Sequence, residues 1–292
     1  MTGRRVFPWV LRVVWALLPL TAGPVLASGL DGRSGPVQLV AAIGLWAGWA
    51  LGLLATLVPH PLGLTALRLL APGAVSVVAA AVVAGDPSTA AVVFGLVWTA
   101  GAAALAFLPE TGALFVNGPS YPNERRYPLR VPGPLVLGPL PLAWAVAGAG
   151  PAVGIMLLAA RQWVVGAIVL VLTGAAAVVL VRAMHGLSRR WVVFVPAGLV
   201  LHDPMTLADP VLFPRKSIES LRPAPADTDS LDLTQRAAGL AVELVLREKV
   251  PMVLVKPGNR AGESGASARL LFTPTRPGQV LADASTRRIP VG

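Results

Sequence analysis

The sequence predicts a membrane bundle of six transmembrane helices, followed by a β-rich domain that ends in a C-terminal helix. Three observations predict it. Of the 292 residues, 55% are hydrophobic and only 13% are charged, against about 25% charged in an ordinary soluble domain. The charges are also unevenly spread: residues 1–187 hold 10 Lys/Arg and 4 Asp/Glu, whereas residues 188–292 hold 14 and 10. Finally, the apolar pattern changes at Ser188-Arg189-Arg190 from long unbroken runs to an alternation of period two. The chain therefore divides into a six-span domain over 1–187 and a smaller domain over 188–292, a length within the usual domain range.

The spans follow in order. Residues 6–30 form the first, with Pro19 and Pro24 as kinks. The second is 37–58, bounded by Gly35-Pro36 and Pro59, and the third is 64–84, with Arg68 one turn in. The fourth, 88–108, ends at Pro109, and 135–159 and 162–183 complete the set. Each carries close to the ~20 apolar residues that the hydrocarbon core requires. Such segments must be helical, because their backbone groups find no water there. Arg4-Arg5-Val6-Phe7 also resembles a twin-arginine signal, with Val25-Leu26-Ala27 as a cleavage region. The apolar stretch is long for a signal core of about 7–15 residues, which favours a retained span.

Placing the N-terminus inside puts Arg4, Arg5, Arg125, Arg126, Arg130, Arg189 and Arg190 on the inner side, and only Arg33 and Arg161 on the outer. The positive-inside rule then assigns a multi-pass plasma-membrane protein with both termini in the cytoplasm. Runs such as Gly148-Ala149-Gly150 and Gly174-Ala175-Ala176-Ala177 suit close helix approach. Trp46 and Trp49 fall mid-helix and are expected to face neighbouring helices. The loop over 109–134 is rich in proline, which argues against a regular helix. It reads either as a docking surface for the C-terminal domain or headgroups, or as a basic topology loop.

After Trp191 the strands begin. Trp191–Val195 and Leu199–His202 flank the turn at Pro196-Ala197-Gly198 as a hairpin. Val211–Pro214 leads into a further strand through Ile218, and 223–230 is a polar loop. Leu240–Leu246 and Pro251–Val255 are strands, 258–267 is a flexible loop, and Arg269–Phe272 is the last strand. Thr275 can cap a helix with Pro277 in its first turn. Several short strands and one terminal helix is the order of a PH-like, partly open barrel. The hairpin Arg190-Trp-Val-Val-Phe-Val-Pro-Ala-Gly-Leu-Val-Leu-His-Asp203 resembles the opening of bacterial PH-like domains tethered to membrane helices. With the span pattern and the Asn123–Arg130 loop, the whole chain resembles uncharacterised multi-spanning bacterial membrane proteins with a C-terminal PH-like domain. That resemblance implies a fold for 188–292 and no activity.

The chemistry is read mainly by exclusion. With no cysteine, disulfides and thiolate sites are ruled out. The four acids of 1–187, Asp31, Asp86, Glu110 and Glu124, fall in loops, so proton-coupled transport has little support. Arg12 and Arg68 can snorkel to the inner face, while His60 sits in a short turn and His185 at the last helix exit. There is no Walker loop, nucleophile elbow or dinucleotide fingerprint. His202-Asp203 reads as a hydrogen-bonded strand end, and Asp227, Asp229 and Asp232 lack the glycine and final Glu of a calcium loop. No catalytic residue, metal site or cofactor is expected.

The basic balance fits an inner membrane face better than nucleic acid. The remaining candidates are basic: Arg125, Arg126, Arg130, Arg189 and Arg190 as a lipid-facing collar, with Arg215-Lys216 and Arg287-Arg288 as further pairs. The expected partners are membrane lipids, with anionic headgroups foremost, and an unidentified membrane protein. The expected role is that of a non-enzymatic scaffold or regulator. The alternative is a membrane subunit of a transporter or cell-envelope assembly complex.

Overall fold

A computed structural model describes residues 3–256 and 259–292, with side chains over 7–255 and 262–292. The Arg4 and Arg5 side chains, residue 257, and residue 258 at the start of the expected loop lie outside the described residues. The chain forms two compact units: Met1–Gly118 with Pro141–His185, and Pro119–Leu140 with Gly186–Gly292.

The first unit is helical. Its helices are α1 (Gly3–Ala16), α2 (Leu18–Leu30), α3 (Gly35–Leu57), α4 (Pro61–Ala84), α5 (Thr89–Phe107) and α6 (Pro109–Asn117). Helix α7 (Gly133–Leu137) falls in the second unit; the first unit resumes within α8 (Pro139–Trp144), passes through a π turn at Ala145–Ala149, and ends with α9 (Gly150–Ala159) and most of α10 (Trp163–Leu187). Among the described residues, six helical stretches are long and apolar enough to cross a membrane: Phe7–Leu30, Gly35–Leu57, Pro61–Ala84, Thr89–Phe107, Pro139–Ala159 and Trp163–Leu187.

Apolar helices still have polar backbone to satisfy at their breaks and ends, and side chains from neighbouring helices do this. Pro19 has no N–H, so the carbonyl of Trp15 loses its helical donor. The indole of Trp49 donates to that oxygen at 3.1 Å, and Trp15 donates back to the Trp49 carbonyl at 2.9 Å. Trp98 donates to the Val14 carbonyl at the same break, at 2.8 Å. Gly52 makes room for Trp15, since a Cβ there would lie 1.9 Å from the indole ring. Trp49 thus meets a neighbour as expected. Trp46 departs from expectation: its ring packs edge-on against Trp49 on the same helix, and the residue is 57% exposed.

Helix C-termini carry carbonyls without intrahelical donors and the negative end of the dipole. Three arginines meet them. Arg12 Nε donates to Thr56 O at 3.2 Å, Arg68 Nε to Ala106 O at 3.4 Å, and Arg33 Nη2 to Ala84 O at 3.4 Å. These accept in the last turns of α3, α5 and α4. The α9–α10 hairpin closes over small residues: a Cβ on Gly150 would meet Thr173 at 2.6 Å, and one on Gly154 would meet Leu170 at 2.7 Å.

The second unit is sheet-rich. One antiparallel sheet has the order β1 (Arg125–Pro128), β2 (Trp191–Val195), β3 (Gly198–His202), β4 (Val211–Pro214). The other has the order β5 (Ile218–Pro223), β7 (Val242–Lys256), β8 (Asn259–Phe272), β6 (Leu231–Asp232). Helix α11 (Pro277–Thr286) follows. The sheets are joined where Leu129 bridges Pro274, with Arg130 N to Thr273 O and Thr275 N to Pro128 O both at 2.8 Å. Past a bulge, β7 also pairs with the β3–β4 connection, through Val255 N to Thr206 O and Ala208 N to Val253 O, each 2.9 Å. The core between them holds Phe194, Phe213, Leu221, Leu244, Phe272 and Val280.

Three sequence readings are corrected here. Residues 109–117 are helical: Pro109 sits at the helix start, where its missing N–H costs nothing, and no other proline falls within α6. The rest of the 109–134 loop contributes a strand to the second unit, so residues 119–140 cluster with 186–292. The expected loop at 258–267 is part of β8 from residue 259, because β7 continues past its bulge and supplies a partner out to Lys256. The N-cap of α11 is Arg276, without a side-chain cap bond, in place of Thr275.

Candidate functional site

The five arginines expected as a collar all belong to the second unit, around the β1–β2 ladder. The register pairs Arg125 with Phe194, Arg126 with Val193, Tyr127 with Val192 and Pro128 with Trp191. Alternation puts Arg126 on the outer face and Tyr127 in the core. Arg126 pairs with Glu124 at 3.2 Å, and its guanidinium lies 5.4 Å from the centre of the Trp191 ring. Trp191 in turn packs on His202, its ladder partner, with ring centroids 5.1 Å apart. Burial lowers the pKa of His202, and Arg189 and Arg126 add to this against the opposing pull of Asp203. An Arg–Trp–His stack with exposed Arg189 beside its charge field therefore forms a cationic, aromatic outer face.

Arg125 borders Tyr127. The Tyr127 hydroxyl donates to Asp283 Oδ2 on α11 at 3.2 Å. Its pKa is raised by burial first and by Asp283 second, with Arg125 opposing. Asp283 also pairs with Arg287 at 3.4 Å, and Arg287 Nη1 donates to Asn123 O at 3.1 Å. Helix α11 is thereby fastened to the segment that carries β1.

Arg190 does not belong to a lipid-facing collar. It is 2% exposed, and its guanidinium grips Asp203 through Nε–Oδ1 and Nη2–Oδ2, both 2.7 Å. Nη1 donates to Arg130 O at 2.9 Å. Register is the cause: Trp191 pairs with His202, so the next pair along the hairpin is Arg190 opposite Asp203. Counting outward from the Pro196-Ala197 turn gives the same pair and was available from the sequence. Asp203 also accepts from Met205 N at 3.1 Å. The expected strand-end role of His202-Asp203 thus divides, with Asp203 in the buried pair and His202 on the outer stack.

A second buried charge was not singled out from sequence. Glu243 on β7 is fully buried. It accepts from Arg222 Nε at 2.6 Å and from the Thr228 and Ser230 hydroxyls at 2.5 Å each. Burial alone would raise its pKa, but Ser230, Thr228 and Arg222 overcome this and hold it at about 2. Asp227 and Asp229 flank those hydroxyl residues and are exposed. Among the described residues, no three His, Asp or Glu side chains converge as a metal site would require. Arg215 and Lys216 line a shallow concavity with Pro196, Ala197 and Pro214, and Arg215 Nη2 donates to Pro196 O at 3.0 Å.

No family model, curated protein or solved structure matches the chain.

Proposed function

We propose that the chain is a multi-pass plasma-membrane protein of non-enzymatic type, a scaffold or regulator. Its C-terminal unit is a PH-like domain at the inner leaflet, as in the bacterial membrane proteins that the sequence resembles. The observation that carries this reading is the β1–β2 ladder. Strand β1 ends at Pro128, before the membrane-length stretch Pro139–Ala159, and β2 begins at Trp191, just after Trp163–Leu187. Paired strands lie on one side of a bilayer, so the two stretches between them cross it an even number of times. This agrees with the shared side that arginine asymmetry assigns to both segments, and the positive-inside rule alone makes that side cytoplasmic.

Only residues 188–190 separate α10 from β2. At ~3.6 Å per extended residue, this keeps the start of β2 within about 15 Å of the helix end. Arg125, Arg126 and Arg189 then stand at headgroup level, where each contributes about 1 kcal/mol toward anionic lipid. A four-stranded sheet, a second sheet and a terminal helix support the PH-like reading. The buried charges Arg190, Asp203 and Glu243 are spent on structure, which favours a non-enzymatic role.

The test is lipid recovery. The full chain purified in mild detergent retains anionic phospholipid, and the combined Arg125→Gln, Arg126→Gln and Arg189→Gln substitutions reduce it. Equal recovery from both proteins contradicts the reading.

A further inference from the structure

At the junction of the two sheets, three polar atoms are buried without a hydrogen-bond partner: Arg130 Nε, Thr273 Oγ1 and Thr275 Oγ1. Buried donors and hydroxyls are almost always paired, so three orphans in one place call for a cause. The bridge of Leu129 to Pro274 sets Arg130 opposite Thr273 and Pro128 opposite Thr275. Residues directly opposite, and those two apart, share a face. Arg130, Thr273 and Thr275 therefore share one face of the seam, and Leu129 takes the other face into the core. Thr273 is only 3% exposed.

The 234–240 loop lies over Arg130 on this face. Arg236 O accepts from Gly133 N at 3.3 Å, and a Cβ on Gly239 would stand 2.7 Å from Arg130 Nε. Gln235, Arg236 and Gly239 have φ of 54°, 56° and 117°. The chain thus folds sharply to lay its backbone on the guanidinium, and only glycine permits that approach at residue 239. The loop itself is exposed at Gln235, Arg236, Ala238, Gly239 and Leu240. The acid nearest in sequence, Asp232, has its Oδ1 turned to Thr234 N at 2.7 Å.

We propose that this seam is a binding site for a phosphate-type oxyanion, held by Arg130, Thr273 and Thr275 beneath the 234–240 loop. A guanidinium presents planar N–H donors to a tetrahedral oxyanion, and two hydroxyls on the same face supply further donors. The anion enters as Gly239 lifts from Arg130, and the three orphan atoms gain their partners on binding. Inorganic phosphate and a lipid phosphomonoester present the same oxygens. The proposal rests on the second unit alone and is independent of the PH-like reading.

The test is the thermal midpoint of the full chain in detergent, with inorganic phosphate titrated against chloride at matched ionic strength. The wild type gains stability with phosphate, and amide exchange across 234–240 slows. Arg130→Gln weakens the apparent affinity about tenfold. Thr273→Val and Thr275→Val keep the side-chain shape, fold without phosphate, and lose the phosphate response. Nanodiscs of phosphatidylcholine doped with phosphatidate, run beside phosphatidylglycerol, separate the sources. An Arg130-dependent gain with phosphatidate identifies a lipid headgroup, and a gain with inorganic phosphate alone identifies a soluble ligand. No response in the wild type to either probe, or an equal response in Arg130→Gln and Thr273→Val, overturns the proposal.

Discussion

Arg190 and Asp203 face each other across the base of the β2–β3 hairpin in a fully buried, two-pronged ion pair, with both N–O distances at 2.7 Å. Arg190 also holds the Arg130 carbonyl, so one guanidinium ties the hairpin to the end of β1. Breaking such a pair leaves a lone buried charge, at a cost of about 3–5 kcal/mol. Arg190→Met alone or Asp203→Leu alone should therefore unfold the second unit at lower temperature. The combined substitution should recover most of the loss. Calorimetry on the four proteins measures the coupling, and purely additive losses would deny it.

Much of this arrangement was legible in the sequence, and the reasons differ by element. The long helices announce themselves because each apolar run is local and uninterrupted. The 191–202 hairpin is equally local, with a Pro-Ala-Gly turn and alternating residues on either side. Strand β1 was hidden. It is four residues long, contains two arginines and a proline, and finds its partner more than sixty residues later across two membrane-length helices. Arg12, Arg33 and Arg68 read as snorkelling or loop charges, because only the packing of separate helices reveals the carbonyls they reach. Glu243 reads as one polar position in an apolar strand, since Arg222, Thr228 and Ser230 come to it from outside that strand.

The Glu243 cluster sets a pH dependence. Its folded pKa of about 2 lies below the ordinary 4.5, so the ionised form is favoured by folding. That stability is fully present above the ordinary value and is lost as pH falls through the range from 4.5 to about 2. Glu243→Gln should be destabilised at neutral pH, and its stability should change less than that of the wild type over the acid range. Denaturant midpoints at several pH values check this. Parallel curves would assign the acid sensitivity elsewhere.

The Trp49 indole and Pro19 are linked through one carbonyl. Trp49→Phe removes the donor that Trp15 O receives and should cost about 1–3 kcal/mol, the cost of a buried acceptor left unmet. Pro19→Ala supplies an N–H to the same oxygen. In the Pro19→Ala background, Trp49→Phe should therefore cost less than it does alone. Thermal midpoints in detergent decide this, and an unchanged cost would remove the indole from that role.

Residues 119–140 and 186–292 make one compact unit with two membrane-length stretches between its first two strands, and the central proposal is that this unit is cytoplasmic and those stretches cross the bilayer as a hairpin. The chain has no cysteine, so introduced thiols report without background. Arg126 and Val193 are ladder partners whose side chains share the outer face. Arg126→Cys with Val193→Cys should form a disulfide under mild oxidation in native membranes, whereas Arg126→Cys with Leu212→Cys, two strands further across the sheet, should not. The single Arg126→Cys should react with an impermeant maleimide only after the cells are opened. No disulfide from the 126–193 pair, or maleimide labelling of intact cells, would contradict the account.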